Sequence, residues 1–191
     1  MVSIKCFGSR MKTMAASVAA SKLYKVFVYG TLKRGEPNHE CFSKCKDGYH
    51  KFLCEAETVE KYPLIIGTRF NIPFLLHNPG KGFNVMGEVY EVDERVLADL
   101  DELEDHPNYY CRNEFMVRPL LASDGRSGGS STSQIIKMPV WIYFIHNFRP
   151  ELLERTTYRS YSNNGDHGLK YVSRYLRDPE STEKARRDIL V

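Results

Sequence analysis

The sequence predicts an α+β fold in which a mixed, barrel-like β-sheet packs against a few helices. Two observations lead to this class. Apolar runs of strand length outnumber the helical segments, and strands and helices do not alternate as they would in βαβ units. The predicted strands lie at residues 25–29, 52–58, 63–66, 72–77, 84–92, 110–120 and 135–146.

Two helices are predicted between these strands. The first covers residues 36–46, with Pro37 in its first turn, where the missing N–H of proline leaves no bond unmade. The second covers residues 94–105. Asp93 is suited to cap its N-terminus, and Pro107 prevents the helix from continuing past residue 106.

The composition is that of one globular domain. The chain has 191 residues, 42% of them hydrophobic, and a net charge of +3. Basic and acidic residues are interspersed, which argues against a nucleic-acid-binding surface. No apolar run approaches the ~20 residues that a bilayer-spanning helix needs. We therefore expect neither a nucleic acid nor a membrane as partner.

The five cysteines are expected to be free thiols in a reducing compartment, because their number is odd and no secretory signal precedes them. Cys41 and Cys45, with His39 and His50 nearby, raise the alternative of a zinc site. The Cys-x₃-Cys spacing lacks a second pair of ligands, which favours buried structural cysteines.

Three segments differ in composition from the rest of the chain. Residues 1–24 contain no Asp or Glu and predict either a flexible extension or a mitochondrial transit peptide. Residues 122–134 are rich in Gly and Ser and predict a loop between two strands. Residues 173–191 are charged, and we expect a tail that frays. The folded domain is therefore predicted at residues 25–172.

The second helix carries a candidate proton-transfer group. Its apolar stripe consists of Val96, Leu97, Leu100 and Leu103. At ~100° per residue, Glu104 falls inside this arc, whereas the other acids of the helix flank it or point outward. A carboxylate on the core side must be paired, have a raised pKa or face a cavity, which makes Glu104 a candidate general base. The alternative is a helix-end glutamate that extends into water.

A turn with the sequence Gly-Thr-Leu-Lys-Arg-Gly follows the first strand, at residues 30–35. A strand that ends at glycine lets a ligand approach the backbone, and successive N–H groups in such a turn can form an anion-binding nest. The alternative is a plain surface turn. A Walker-type nucleotide site is disfavoured, because Glu36 and Pro37 stand where Lys and Ser/Thr are required.

Several motifs occur together in one order along the chain. They are VFVYGTLKRG at 26–35, PNH at 37–39, YPL at 62–64, NIP at 71–73, LLH at 75–77, GEVY at 87–90, VDE at 92–94, LDELE at 100–104 and GDHGLKY at 165–171. This set resembles the γ-glutamylamine cyclotransferase branch of the γ-glutamylcyclotransferase-like family, over about residues 25–172. The Tyr-Gly-Thr-Leu motif with the downstream glutamate is typical of the superfamily, and the PNH and C-terminal motifs indicate this branch.

The resemblance implies a mixed α/β barrel-like fold with a cavity lined by the backbone of Tyr29, Gly30, Thr31 and Leu32, and it implies Glu104 as the acid/base. It also implies cleavage of γ-glutamyl amines, above all γ-glutamyl-ε-lysine, to 5-oxoproline and the free amine, without metal or cofactor. The α-amine of the substrate is its own nucleophile. The protein must hold the chain folded, move a proton and stabilise an anionic oxygen. The amides of residues 29–32 would serve either that oxygen or the substrate α-carboxylate.

Two alternatives remain at this stage. One is a related cyclotransferase acting on γ-glutamyl amino acids or glutathione. The other is a non-enzymatic binding module that uses Lys33 and Arg34, although an inward carboxylate is costly for a mere binder. We expect selectivity for the leaving amine to lie in residues 67–83, 122–134 and 158–171. We also expect a monomer in the cytoplasm, or in the mitochondrion if the leader is a transit peptide.

Overall fold

The computed structural model describes residues 22–44, 47–120 and 136–191. Within them, five strands form a closed barrel and three more form a second, small sheet. The strands are β1 (Leu23–Val28), β2 (His50–Thr58), β3 (Leu64–Gly67), β4 (Ile72–Leu75), β5 (Met86–Asp93), β6 (Cys111–Pro119), β7 (Met138–Phe144) and β8 (Thr157–Tyr158). The α-helices are α1 (Glu94–Leu103) and α2 (Pro179–Arg187).

The barrel has the strand order β1-β5-β2-β6-β7 and is mixed. Neighbouring strands are antiparallel except at the closure, where β1 runs parallel to β7 and Val26 pairs with Trp141. The second sheet is antiparallel, in the order β4-β3-β8. The predicted α+β class with a mixed, barrel-like sheet is thus confirmed.

The side chains of β1 alternate between two apolar clusters, as the two-residue period of a strand requires. Phe27 belongs to one cluster, together with residues of β2, β5, β6 and β7. Val26 and Val28 belong to the other, which also contains the inward face of α1. The first strand is therefore buried on both faces at its C-terminal end, where the candidate turn begins.

Helix α1 begins and ends for identifiable local reasons. The Asp93 carboxylate accepts a hydrogen bond from the backbone N–H of Val96 at 3.0 Å, which confirms the predicted N-cap. The helix ends at Leu103, two residues earlier than predicted. Glu104 is its C-cap, and Asp105 adopts a left-handed backbone with φ +50°, which reverses the chain direction.

The first predicted helix is wrong in extent and type. Instead of an α-helix over residues 36–46, a 3₁₀ helix covers only His39–Ser43. Asn38 lies before it, and its backbone N–H donates to the carbonyl of Thr31 at 2.9 Å. Because this bond ties the chain back to the preceding turn, residues 33–44 form successive i→i+3 turns rather than a regular α-helix.

Two elements were missed from sequence. Strand β8 has only two residues and is too short to produce a pattern. Helix α2 lies in the segment expected to fray, although Asp178 accepts from Ser181 N–H and Pro179 follows as the first helical residue. Ala185 and Ile189 are buried, so the charged segment is attached to the core at its far end.

Several sequence expectations fall partly or wholly outside the described residues. These include the leader through residue 21, the 122–134 loop, Cys6 and Cys45. Cys41, Cys54 and Cys111 are free thiols. No cluster of three or more potential metal ligands occurs in the described part of the chain. None of the helices in residues 22–44, 47–120 and 136–191 has the length and apolar character needed to cross a bilayer.

Candidate active site

A cavity of about 340 Å³ lies where β1 ends beside β7. Its walls come from the turn after β1, from β4, from the end of α1 and from residues 171–191, which we call the C-terminal segment. Residues far apart in sequence are therefore brought together at one end of the barrel. A concave site with a few convergent polar groups is the usual form of a small-molecule pocket.

The turn after β1 presents unused backbone donors to this cavity. Among the described residues, no acceptor contacts the amide N–H groups of Gly30, Thr31 and Leu32. Their carbonyls, in contrast, accept hydrogen bonds from Lys33 N–H, Asn38 N–H and the His39 ring. With the carbonyls held on one side, the amides remain available to an anionic oxygen.

Asn38 fixes the orientation of this turn. Its side-chain amide donates to the Thr31 hydroxyl at 3.0 Å and to the Tyr171 hydroxyl at 2.9 Å. Asn163 in turn accepts from the N–H of Tyr171 at 2.7 Å, and its own N–H donates to Glu36. The C-terminal segment is thereby joined to the turn by side-chain hydrogen bonds.

Gly30 is required by its neighbour in β4. A Cβ atom at this position would lie 2.8 Å from Cγ of Pro73, which is closer than real Cβ contacts allow. From sequence, Gly30 was predicted to let a ligand approach the backbone. In the structure, the side chain of Pro73 occupies the space that a Cβ would need. The glycine therefore allows the turn to pack directly on β4.

A second carboxylate holds the other end of the turn. Glu88 on β5 accepts from the Arg34 backbone N–H and from Arg34 Nε, each at 2.9 Å, and from the Tyr90 hydroxyl at 2.9 Å. Burial alone would raise the pKa of Glu88, but these donors outweigh it and hold the pKa below its usual value. An ionised Glu88 therefore fixes the turn to the barrel.

Glu104 lies on the opposite wall, immediately after α1. Its backbone is fixed on both sides, because its N–H donates to Leu100 at 3.0 Å and its carbonyl accepts from Tyr110 at 3.3 Å. Within the described residues, no group donates a hydrogen bond to its carboxyl. The side chain therefore points into the cavity with both oxygens available to a ligand.

The surroundings of Glu104 favour its protonated form. Burial raises its pKa to about 7, and the positive charge of Arg174 opposes part of this rise. Although the residue keeps some accessible surface, that surface faces the cavity, and the surrounding protein dominates its electrostatics. A carboxyl with a pKa near neutrality can both accept and return a proton at physiological pH.

Tyrosines surround the carboxyl but do not compete for it. The hydroxyl of Tyr29 donates to the carbonyl of Tyr143 at 2.9 Å, and that of Tyr143 donates to Asp101 at 2.6 Å. Tyr110 donates to the Pro73 carbonyl at 3.4 Å. Burial raises the pKa of all three phenols, so they stay neutral. They form a rigid wall with fixed hydroxyl directions.

The C-terminal segment supplies a cationic wall. Arg174, Arg177 and Arg186 all line the cavity. Arg174 donates to the Leu103 carbonyl at 3.1 Å, and Arg186 pairs with Asp105 at 2.6 Å. These arginines lie beyond the predicted selectivity segments, which end at residue 171, in the part of the chain that was predicted to be a charged tail.

The structure brings the five sequence-predicted site residues, Tyr29, Gly30, Thr31, Leu32 and Glu104, into one cavity. Phe70, Ile72 and Pro73 also line it and fall within the predicted selectivity segment 67–83. Tyr110 and Tyr143 also line the cavity and were not predicted as site residues. Two sequence signals could have indicated these tyrosines. One is the acidic residue at the end of α1, and the other is the presence of further aromatic residues beside them in the sequence.

Comparison with known proteins relates the chain to one family. The model of the family described as "Gamma-glutamyl cyclotransferase, AIG2-like" matches residues 26–163. The chain is 42% identical over 151 residues to gamma-glutamylaminecyclotransferase C of Danio rerio, covering 79% of this chain and 94% of that protein. It is 42% identical over 149 residues to the gamma-glutamylaminecyclotransferase of Homo sapiens, covering 78% and 96%.

A solved structure supports the same relationship. The crystal structure of an AIG2-like protein from Mus musculus superposes with a TM-score of 0.71 and 39% sequence identity. The match covers 81% of this chain and 99% of the mouse protein.

Proposed function

This chain belongs to the gamma-glutamyl cyclotransferase, AIG2-like family, and on that premise we propose that it is a γ-glutamylamine cyclotransferase. It converts a γ-glutamyl amine, with γ-glutamyl-ε-lysine as the main substrate, into 5-oxoproline and the free amine. The observation that carries the proposal is the position of Glu104. Its carboxyl, with a pKa of about 7, faces the cavity into which the turn at residues 30–32 directs its unused amides.

The substrate brings its own nucleophile, so the first task of the protein is positional. The γ-glutamyl chain must be folded until its α-nitrogen lies next to its γ-carbonyl carbon. Holding this near-attack geometry can contribute several kcal/mol to lowering the barrier. The fixed tyrosine wall and the turn after β1 provide a rigid surface against which the chain can be bent.

The second task is proton transfer. The α-ammonium of the substrate loses a proton to water, and the neutral nitrogen attacks the γ-carbonyl carbon. As the new C–N bond forms, the attacking nitrogen loses a second proton to Glu104. The former amide C–N bond then breaks, and Glu104 returns its proton to the departing nitrogen, which takes up another from water. Two protons leave the α-nitrogen and two reach the amine, so Glu104 finishes ionised, as it began.

The third task is stabilisation of negative charge. The γ-oxygen becomes anionic as the ring closes, and the substrate also carries an α-carboxylate. The amides of Gly30, Thr31 and Leu32 bind one of these two anionic groups. Two interactions hold these donors in place before the substrate arrives, the bond from Asn38 to Thr31 and the bonds from Arg34 to Glu88.

We further propose that residues 25–172 form the catalytic domain, with residues 173–191 completing one wall of its cavity. We also propose that the protein acts as a cytoplasmic monomer without a cofactor. Every group that the scheme needs comes from one chain, and the nucleophile comes from the substrate. Light scattering at assay concentration tests the monomer. Retention of full activity after extensive dialysis against a metal chelator tests independence from metal ions.

The experiment that tests the function is 5-oxoproline release from γ-glutamyl-ε-lysine by the wild-type chain and by Glu104→Gln. Glutamine keeps the shape of the side chain but cannot carry the proton, so we expect turnover to fall by about 100-fold or more. Glu94→Gln, an exposed change on the same helix, is the matched control and should keep full activity. Near-normal turnover by Glu104→Gln would contradict the assigned role, and release from glutathione alone would assign another substrate class.

A further inference from the structure

The C-terminal wall of the cavity carries two guanidinium groups without an acidic partner among the described residues. Arg174 and Arg177 line the cavity but take part in none of the ion pairs formed there. Both lie beyond residue 163, where the match to the family model ends. They are therefore candidates for a selective role that the motifs of the barrel do not explain.

Arg177 is held in a fixed orientation. Its guanidinium lies 4.8 Å from the ring centroid of Phe70 and 5.0 Å from that of Tyr171. Its Nε and Nη2 atoms donate to the carbonyl of Val172 at 2.9 and 2.7 Å. No carboxylate among the described residues accepts a hydrogen bond from its remaining N–H groups. A planar guanidinium fixed in this way matches a carboxylate with little further loss of side-chain entropy.

The acids around this wall do not neutralise it. Asp105 is already paired with Arg186 at 2.6 Å. Glu104 has a pKa of about 7 and is therefore ionised only in part near neutrality. Glu102 is exposed at the rim and forms no hydrogen bond or ion pair with any described side chain. Burial of Arg177 without a counter-charge lowers its pKa, and an anionic ligand would offset that cost.

The two halves of a γ-glutamyl amine make different demands on the cavity. The glutamyl half reacts at Glu104 and presents its anionic oxygens to the turn after β1. The leaving amine is the half that remains to contact the cationic wall formed by Arg174 and Arg177. We propose that Arg177, assisted by Arg174, binds a carboxylate on the leaving amine, so that the chain prefers γ-glutamyl amines whose leaving group is an amino acid. This inference rests on the proposed function.

Two matched pairs of substrates isolate that carboxylate. γ-Glutamyl-cadaverine is γ-glutamyl-ε-lysine without its lysyl carboxylate. γ-Glutamyl-pentylamine is likewise γ-glutamyl-6-aminohexanoate without its distal carboxylate, and this second pair has no distal ammonium. For the wild-type chain we expect kcat/KM to be about 10-fold to 100-fold higher for the carboxylate member of each pair, as for one charge-assisted hydrogen-bonded contact.

Arg177→Gln should lower kcat/KM for the carboxylate member towards the value of its partner and leave the partner's value nearly unchanged. Arg174→Gln should lower the ratio of kcat/KM within each pair by a smaller factor, in addition to a shift of the pH profile that both members share. Arg177→Lys should retain part of the preference. Arg155→Gln removes the same charge from an exposed position outside the cavity and should behave as wild type. Because the readout is a ratio within each pair, a general loss of folded enzyme does not imitate it.

Three results would overturn the inference. One is a wild-type chain that turns over both members of each pair equally well. Another is a preference that survives both glutamine variants. The third is an equal loss for both members in Arg177→Gln, which would assign the arginine to the glutamyl half or to the fold. Failure of the proposed function is distinct from all of these, because then neither member of either pair would release 5-oxoproline.

Discussion

The backbone N–H of Arg34 and its side-chain Nε both donate to Glu88, one to each carboxylate oxygen and each at 2.9 Å. This paired contact attaches the end of the turn after β1 to β5. The Glu88 side chain is only 10% exposed, whereas Arg34 is 47% exposed, so the contact is shielded from water mainly on the carboxylate side. A carboxylate that takes no part in the chemistry thus determines where the turn's amides lie.

We expect Glu88→Gln to weaken both the fold and ligand binding. The amide side chain loses the charge and presents N–H groups to donors, so unfolding should become easier by about 2 kcal/mol. The affinity for 5-oxoproline should also fall, because the turn loses its anchor. Chemical denaturation and calorimetric titration measure the two effects. Glu91→Gln, on the same strand, should change neither, because among the described residues its side chain bonds only to Tyr49 at the surface. An unaltered product affinity in Glu88→Gln would separate this anchor from the site.

The pH dependence of catalysis should depend on Arg174. Activity requires ionised Glu104, so kcat/KM should rise as the pH increases through about 7. The cation at Arg174 lowers the pKa of Glu104, so Arg174→Gln should raise that pKa and move the acidic limb of the profile to higher pH. Profiles of both proteins with one substrate isolate the effect, because the α-amine of the substrate titrates identically in each. Superimposable acidic limbs would show that the limb does not report on Glu104.

Gly30 and Pro73 should be energetically coupled. Gly30→Ala forces a Cβ atom against Pro73, which should cost about 1–3 kcal/mol of stability and displace the turn. Pro73→Ala removes the ring that blocks the Cβ. In the double variant, part of the cost of Gly30→Ala should therefore be recovered. A double-mutant cycle from denaturation curves measures this coupling. Strictly additive effects would mean that the clash is relieved elsewhere.

Ile189 should contribute to stability although it lies at the end of a charged segment. Its side chain is 1% exposed and belongs to the cluster that contains the inward face of α1. Ile189→Ala should therefore destabilise the protein by about 2–4 kcal/mol. Leu176→Ala is the matched control, because Leu176 is 80% exposed. Equal melting temperatures for the two variants would indicate that the segment frays in solution, as its composition alone predicts.

The sequence was sufficient for the fold class, the family and the elements that have strong periodicity. Helix α1 was predicted from its apolar stripe and from Asp93, and its N-terminal cap was correct. The family prediction is confirmed by the match over residues 26–163 and by relatives at 42% identity. In helix α1 local preference and tertiary packing agree, so its pattern alone carried enough information, whereas the family was predicted from the resemblance of its motifs.

The failures occur where a distant residue decides local structure. Residues 36–46 have an acceptable helical composition, but the bonds from Asn38 to Thr31 favour a series of tight turns. The space beside Gly30 is filled by Pro73, which is 43 positions away in sequence. Helix α2 is amphipathic only through Ala185, so its burial depends on where the preceding chain leads. No local pattern encodes such long-range contacts.

The C-terminal segment lines the cavity and is attached to the rest of the protein at both of its ends. At one end Val172 N–H donates to the Phe70 carbonyl at 3.0 Å, and at the other Ile189 is inserted in the core. Detaching the C-terminal segment would withdraw the Ile189 side chain from the core, at a cost of about 2 kcal/mol or more. At that cost only about a few per cent of the molecules would have the segment detached, so most reactants meet it in its attached position and enter the cavity beside it.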